Sequence, residues 1–311
     1  MKFLFLITYL FGPLALYVVL ASALVGIAVT AGRRRLARLE PSAQSQIALA
    51  AAVAPTFLGA VLMGGASYDI VLFGPADFCL HPQDSAAPSL ILLLSVAFLV
   101  GRLLTCGMQT IVAVIHAVRL GRALPGVSPK KFMGCLVLPV EEPQAYVLGI
   151  LKPKVYVSQG LLEQSGENDL APVLAHEHAH AARRDPLRRL IASYGLVLHL
   201  PGIAHLLDRL LTRTQEMAAD ADAGRTVGDR VRVAESLVRF ARMHGPGRAT
   251  AVEFGSGDLE ARVRELLDSR ERRDAGLSAA ALVGCSVALC LLALFAAHEL
   301  HHLGQALLRL P

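Results

Sequence analysis

No lysine or arginine lies between Gly65 and Pro88, no tryptophan occurs anywhere, and only 5% of the 311 residues are aromatic. Charged residues make up 18% of the chain against 54% hydrophobic, and mean hydropathy is +0.51. Such a balance excludes an ordinary soluble domain and leaves room for membrane spans plus one globular unit. The pI near 9.1 suggests nucleic acid. Between 119 and 275, however, 23 Lys and Arg stand against 20 Asp and Glu, and no basic run is interleaved with aromatics. Direct nucleic-acid binding is not expected. Nor do the five cysteines suit a disulfide framework. Cys106, Cys285 and Cys290 fall in apolar runs, Cys79 stands alone in an acidic loop, and Cys135 belongs to a stretch expected to face a reducing interior. They read as small buried hydrophobes. Internal repeats and long low-complexity tracts are also absent.

The apolar residues are gathered into four runs, about 3–30, 47–64, 89–118 and 276–298. Each is near the ~20 residues that cross a bilayer as a helix, so four transmembrane helices are predicted. The first run is long and is followed by Arg33, Arg34 and Arg35, which suits a retained anchor better than a cleaved signal peptide. Four arginines in "GRRRLARLE" place the first loop in the cytoplasm, and the loop with Asp69, Asp77 and Asp84 but no basic residue outside. The expected organisation is an N-terminal membrane region (1–118), a cytoplasmic domain (119–275), a fourth span (276–298) and a short external tail (299–311), with both termini outside the cell membrane.

After the third run, "FMGCLVLPVEEPQAYVLGILKPKVYVSQGLLEQ" mixes β-branched and aromatic residues with Pro and Gly breaks, the pattern of short strands and turns. "NDLAPVLAHEHAHAARRD" then reads as a helix, with Asn168 as N-cap, Pro172 near the first turn and Pro186 beyond the end. Helices follow, broken by Gly245-Pro246-Gly247 and by "FGSGD" at 254–258. The apolar piece from Leu190 to Leu207 is read as a bent helix lying on the membrane surface or in the domain core, because one crossing there would separate the residues that follow from those that precede it.

Two short stretches share one spelling. "HEHAH" (His176–His180) and "HELHH" (His298–His302) both read H-E-x-x-H. On a helix, His176 and His180 lie one above the other and can share a tetrahedral zinc, while Glu177, one position on, stands beside the metal. Zinc held by three protein ligands leaves one position for a water, whose pKa then falls to about 7. Glu177 is the expected base that takes this water's proton and returns it to the leaving amine. The third ligand is sought in "TQEMAADADA", where Glu216 and Asp220 are again i and i+4. Glu216 reaches further and is the expected ligand; Asp220 is the expected hydrogen-bond acceptor for a ligand imidazole, with Asp222 its competitor. His178 is expected to point away. Arg183, Arg184 and Asp185 read as helix-terminal charge and capping.

"LAHEHAHAARRDPLRRL", "QEMAADADA" and "DLEARVRELLD", with "AYVLGILKPKVYVSQGLL" before them, resemble the BlaR/MecR-type family of membrane zinc metallopeptidases over roughly 130–270. The resemblance implies zinc ligands His176, His180 and Glu216, base Glu177, one Zn2+ per chain, and a cytoplasmic peptidase that can cut a transcriptional repressor. The fold class expected is therefore a mostly α membrane protein, with four transmembrane helices and a cytoplasmic α+β gluzincin-like zinc peptidase domain inserted between the third and fourth. The sensor members of that family continue into an extracellular penicillin-binding domain, whereas this sequence ends at Pro311, so no β-lactam receptor role is expected. The HtpX/Ste24 type shares both motifs, but 35 residues between His180 and Glu216 are too few for the pair of spans that an HtpX-like likeness implies there.

The function expected is that of an integral-membrane zinc endopeptidase in signal transduction, cleaving a cytoplasmic protein such as a winged-helix repressor, with the lipid bilayer as its other partner. The alternatives are HtpX-like quality control of membrane proteins and a non-catalytic protein with a structural zinc. Tyr146, Val147 and Leu148, within "QAYVLGI", form either an edge strand that pairs with substrate or a core strand. Tyr194, His199, His205 and His244 are the candidates for stabilising the oxyanion. "HELHH" has no carboxylate after it, so His298, Glu299, His301 and His302 read as a polar cap at the membrane interface, with an outward accessory metal site as the other reading.

Overall fold

The computed structural model describes residues 2–55, 90–123, 130–248 and 256–268. The described chain begins with α1 (Lys2–Leu36), a helix over 41–55 (α2) and α3 (Leu90–Ala123). Four strands follow: β1 (Lys130–Phe132), β2 (Cys135–Leu138), β3 (Ala145–Leu148) and β4 (Lys154–Ser158). The remaining elements are α4 (Gln159–Gln164), α5 (Glu167–Ala182), α6 (Asp185–Leu196), α7 (Pro201–Val227), α8 (Arg230–Arg248) and α9 (Ser256–Leu267).

No helix among the described residues is long and apolar enough to cross a membrane, which overturns the expectation of four transmembrane helices. The orientation built on those spans loses its basis with them. Apolar residues of the first two runs are instead used against the helices that follow. Ala48 and Ala52 of α2 are buried with Ala192 and Leu196 of α6 and Leu207 and Leu211 of α7, and Val25 and Val29 of α1 pack on the same cluster. At Gly195 a Cβ would come within 2.5 Å of the Ala52 carbonyl oxygen, so α6 and α2 approach to a distance that only glycine permits. The third run is interrupted by a charge that holds the fold together, since the Arg102 guanidinium donates to the carbonyls of Leu196 and Val197 at the end of α6. The second run is described only as far as residue 55. The fourth span, the tail and His298–His302 lie outside the described residues.

The strands form one sheet in the order β1-β2-β4-β3. β1 and β2 are an antiparallel hairpin turned by Met133 and Gly134, both at positive φ (46° and 82°) as a tight hairpin turn requires. β2 runs parallel to β4, and β3 antiparallel to β4 with Tyr146 opposite Tyr156, their rings stacked 6.0 Å apart. Gly149 turns β3 into β4 at φ 107°, where a Cβ would meet the Lys152 carbonyl at 2.6 Å. Cys135, Val155, Val157 and Leu161 bury this sheet and α4 against Leu170 and Leu174 of α5. The mixed strand-and-turn reading of this stretch therefore holds, and it places β3 at the sheet edge beside α5.

α5 begins with Gly166 as N-cap rather than Asn168, and Pro172 lies within it. The Leu190–Leu207 piece is two helices. α6 ends at Leu196, α7 starts at Pro201, and the link between them folds into the core with His199 fully buried. His199 Nδ1 accepts from the Ser22 hydroxyl at 3.1 Å, and Nε2–H donates to the carbonyls of Ala51 and Ala52 at 3.2 Å, so the break is pinned to α1 and α2. Burial holds its pKa below the ordinary value, in keeping with a neutral ring. α8 continues through the Gly245-Pro246-Gly247 stretch to Arg248, so no break occurs before it.

Candidate active site

Three helices bring the site together. α5 carries His176, Glu177 and His180 on adjoining faces, and α7 packs along it and supplies Glu216 and Asp220 one turn apart. α9 packs against α7 and contributes Arg262.

His176 Nε2 and His180 Nε2 are 3.1 Å apart, His176 Nε2 and Glu216 Oε2 3.5 Å, and His180 Nε2 and Glu216 Oε1 3.5 Å. A zinc ion with bonds of about 2.0–2.1 Å at tetrahedral angles needs its ligand atoms roughly 3.3 Å apart; the two imidazole nitrogens stand near that spacing and each faces a different oxygen of the Glu216 carboxylate. Among the described residues it is the one cluster of three His, Cys or carboxylate donors within 4.8 Å of one another.

Each histidine is held from behind by a carboxylate. Asp220 Oδ1 lies 2.9 Å from His176 Nδ1, as the i, i+4 pairing with Glu216 leads one to expect. Asp185 Oδ2 lies 2.7 Å from His180 Nδ1, a contact made by a residue whose place in the sequence suggests only capping. Arg184 adopts a left-handed conformation (φ 54°) that ends α5 and starts α6 with Asp185, and Pro186 fits the first turn of the new helix. That reversal carries Asp185, 3% exposed, back beneath His180. His180 Nδ1 is thus hydrogen-bonded to Asp185 and His176 Nδ1 lies in ion-pair contact with Asp220, which leaves the two Nε2 atoms facing the common centre.

Two arginines complete the set. Arg262 is 2% exposed. Its Nε and one terminal nitrogen donate to Asp220 at 2.7 and 2.8 Å, and the other terminal nitrogen is 3.1 Å from Glu216 Oε2. Arg183, 13% exposed at its side chain, lies between Asp185 (3.7 Å) and Asp222 (3.6 Å). Burial alone would raise the carboxyl pKa values of Glu216 and Asp220, yet both are held below the ordinary range, Glu216 by His176 and Arg262 and Asp220 by Arg262 and His176. Burial likewise opposes charge on His176, but the Asp220 and Glu216 hydrogen bonds win and lift its pKa to about 10 in the metal-free site. A cation is favoured at this centre, and a proton occupies part of it when no metal does.

Glu177 is half-buried and lines a small cavity with His176, Asp220 and Arg262. His178 is exposed, as expected, with Nε2 3.5 Å from the Cys135 thiol at the sheet. Asp222, the competitor of Asp220 for that role, pairs instead with Arg183 and Arg225. Of the oxyanion candidates, His199 is enclosed by α1 and α2, the exposed Tyr194 hydroxyl lies 3.0 Å from that of Thr110, and His205 is exposed on α7. None of these three belongs to the cavity at Glu177, and the His244 side chain lies outside the described residues. A larger cleft, about 470 Å3 between α3, α6 and α7, is lined by Arg102, Tyr194 and His205 and includes none of His176, His180 and Glu216. Tyr146, Val147 and Leu148 are half-buried along β3, next to α5.

Two histidines one helical turn apart, a glutamate from a second helix, a carboxylate behind each imidazole and a further acidic side chain alongside are the parts of a zinc-dependent peptidase centre. A model of Peptidase family M48 matches residues 119–302, more than half of the chain. The chain belongs to Peptidase family M48, a family of zinc metalloproteases that hydrolyse peptide bonds. The BlaR/MecR-type membership suggested by the sequence is not what this match returns. No curated protein and no solved structure matches the chain.

Proposed function

We propose that the chain is an endopeptidase that cuts a protein substrate bound in extended form along β3, with His176, His180 and Glu216 as zinc ligands and Glu177 as the catalytic base. The observation that carries this reading is the cluster of three donors, one from each of His176, His180 and Glu216 and all within 4.8 Å of one another, beside a fourth acidic side chain that is not one of its members. A purely structural zinc closes its shell with a fourth protein ligand, and among the described residues the cluster has three donors. Zinc, when bound, supplies a Lewis acid that makes water a usable nucleophile near neutral pH. Glu177 takes the proton from the attacking water and delivers it to the leaving amine. Asp220 and Asp185 keep the imidazoles oriented and in one tautomer, and Arg262 keeps Asp220 and Glu216 ionised. β3 ends the sheet next to α5, so its outer edge offers main-chain hydrogen bonds to an extended segment lying along the zinc helix.

The likeness of 130–270 to BlaR/MecR-type proteins supports a cytoplasmic repressor as that substrate, which would place the activity in a signalling pathway. The test compares cells carrying the wild type with cells carrying Glu177→Gln, reading new protein N-termini by mass spectrometry. Fragments of a cytoplasmic protein that vanish in Glu177→Gln support the proposal. Identical fragment sets from both strains refute the assignment of Glu177, and fragments confined to unfolded membrane proteins favour quality control instead.

A further inference from the structure

We infer that Arg183 is a positioning residue for the zinc ligand His180, acting through Asp185 and held in place by Asp222 of α7. On the zinc-site reading above, on which this rests, Arg262 supports the His176 side and no cation is assigned to the His180 side. Its place in the sequence makes Arg183 the terminal charge of α5, and its backbone does close the helix, with its N–H bonded to the carbonyls of Ala179 and Ala181. A side chain that served only the helix dipole would stay in solvent, as the exposed Arg184 does. The Arg183 side chain is instead 13% exposed, and its Nη1 and Nη2 are buried with no hydrogen-bond partner among the described residues. Taking a guanidinium out of water in this way is costly unless opposite charge faces it. Two carboxylates do so: Asp185 Oδ2 lies 3.7 Å from Nε, and Asp222 Oδ2 3.6 Å from Nη1.

Asp185 Oδ2 is the same oxygen that is hydrogen-bonded to His180 Nδ1 at 2.7 Å. The other oxygen, Oδ1, is buried with no hydrogen-bond partner among the described residues and has Arg188 at 3.8 Å. The carboxylate thus stands between two cations, one on each oxygen, and Arg183 is the one on the histidine's side. With Arg183 gone, Arg188 would draw the carboxylate toward itself and away from the ring. Asp222 fixes the far end of the guanidinium. α7 therefore supplies a zinc donor in Glu216, the acceptor behind His176 in Asp220, and the anchor of Arg183 in Asp222. Each imidazole is backed by a carboxylate and each carboxylate by an arginine, His176 by Asp220 and Arg262, His180 by Asp185 and Arg183. The arms differ in strength, since Arg262 makes two hydrogen bonds to Asp220 at 2.7 and 2.8 Å whereas Arg183 meets Asp185 by charge alone.

The experiment uses the full chain, with zinc affinity read by competition with a chelator of known affinity and the histidine rings of the zinc-stripped protein read by 15N NMR. Arg183→Met is expected to weaken zinc binding about tenfold, the low end for a group behind a ligand, because Asp185 itself remains. In the zinc-stripped protein it should shift the Nδ1 resonance of His180 by more than that of His176, and Arg262→Met should do the reverse. Arg183→Lys keeps the charge and should bring zinc affinity back to within about threefold of the wild type. Asp222→Asn leaves the charge at the end of α5 untouched and removes only the anchor. It should weaken zinc about threefold, move His180 in the same direction as Arg183→Met, and add nothing further in the double variant. Asp222 is 30% exposed, so this variant carries the test where Arg183→Met does not fold, and an unmoved His180 Nδ1 in it overturns the assignment. Unchanged zinc affinity in Arg183→Met, equal shifts of both rings, or full additivity of the two substitutions does the same. Zinc binding that depends on Arg183 in a chain that cuts no peptide would end the endopeptidase reading and leave this assignment standing.

Discussion

Arg262→Met is the substitution whose effect follows most directly from the geometry. The guanidinium is 2% exposed, makes two charge-assisted hydrogen bonds to Asp220 and lies 3.1 Å from Glu216. Methionine keeps much of the volume and removes the charge, leaving the buried Asp220 and the partly exposed Glu216 with the histidines as their remaining cationic neighbours. Breaking a buried pair by deleting one partner costs about 3–5 kcal/mol, because the other charge stays behind unneutralised. His176 still stands in ion-pair contact with Asp220, so the low end applies: about 3 kcal/mol, or roughly a hundredfold in the ratio of folded to unfolded protein. The loss should appear as a lower urea midpoint with an unchanged slope in zinc-stripped protein.

The zinc-loaded protein separates this account from plain loss of packing. Zinc adds positive charge beside Glu216, so it replaces part of what Arg262 supplied, and it should raise the midpoint of Arg262→Met by more than it raises the wild type. A packing defect would lower both forms equally. The double variant Arg262→Met with Asp220→Asn should lose less than the two single variants added together, since the neutral amide needs no counter-charge. A zinc-stripped Arg262→Met that unfolds at the wild-type midpoint, or strict additivity in the cycle, would refute the reasoning.

Glu177→Gln is expected to retain stoichiometric zinc by elemental analysis and to lose proteolysis by roughly 10²–10⁴-fold, the scale of general acid–base catalysis. Glu216→Ala should release the metal itself, measured by competition with a chelator of known affinity. Asp185→Asn leaves His180 without its carboxylate and should lower zinc affinity by about 10–100-fold; unchanged affinity would mean that the 2.7 Å contact does not orient the ring. The pH dependence of the zinc-stripped protein follows from Asp220. Its folded pKa lies below the usual 3.8, so its contribution is complete above that pH and is lost as pH falls through the folded value. In Arg262→Met the folded pKa rises, and the urea midpoint should begin to fall at a higher pH than in the wild type.

The parts of the site that were legible in the sequence are those in which one helix supplies both ends of a relation. His176 with His180, and Glu216 with Asp220, are i, i+4 pairs, and helical periodicity alone puts each pair on one face. The short strands around Tyr146 and Tyr156 could be read for the same local reason, whereas the order β1-β2-β4-β3, which makes β3 an edge, is a long-range fact. The membrane topology failed on the same distinction. Run length and hydropathy state how apolar a segment is, and Ala48, Ala52, Val25 and Val29 show that such residues can instead be packed on neighbouring helices of the fold. Polar residues in that region carried the contrary signal: Ser22 and Arg102 are engaged with the α6–α7 break at His199, Leu196 and Val197.

Asp185 and Arg262 escape a reading of the sequence for different reasons, and the difference bears on what an H-E-x-x-H motif is worth. Asp185 lies five residues after His180, near enough to be noticed, but the helix ends between them, and a helical wheel that continues past Ala182 places it on the wrong side. The left-handed Arg184 brings it back, a backbone reversal that no periodicity encodes. Arg262 is 42 residues from Asp220, on another helix, and is visible in the sequence only as one letter in a stretch of resemblance. Yet without these two residues His180 loses its orienting acceptor, and Glu216 and Asp220 lose the cation that lets them stay ionised while nearly enclosed. The three fixed letters of the motif therefore state where a metal could be held, and the distant carboxylate and arginine supply the support that holding it requires. "HELHH" at His298–His302 has the letters, and it is to be judged by the same demand: an acceptor behind each imidazole and a third donor within about 3.5 Å, the spacing that a tetrahedral zinc imposes.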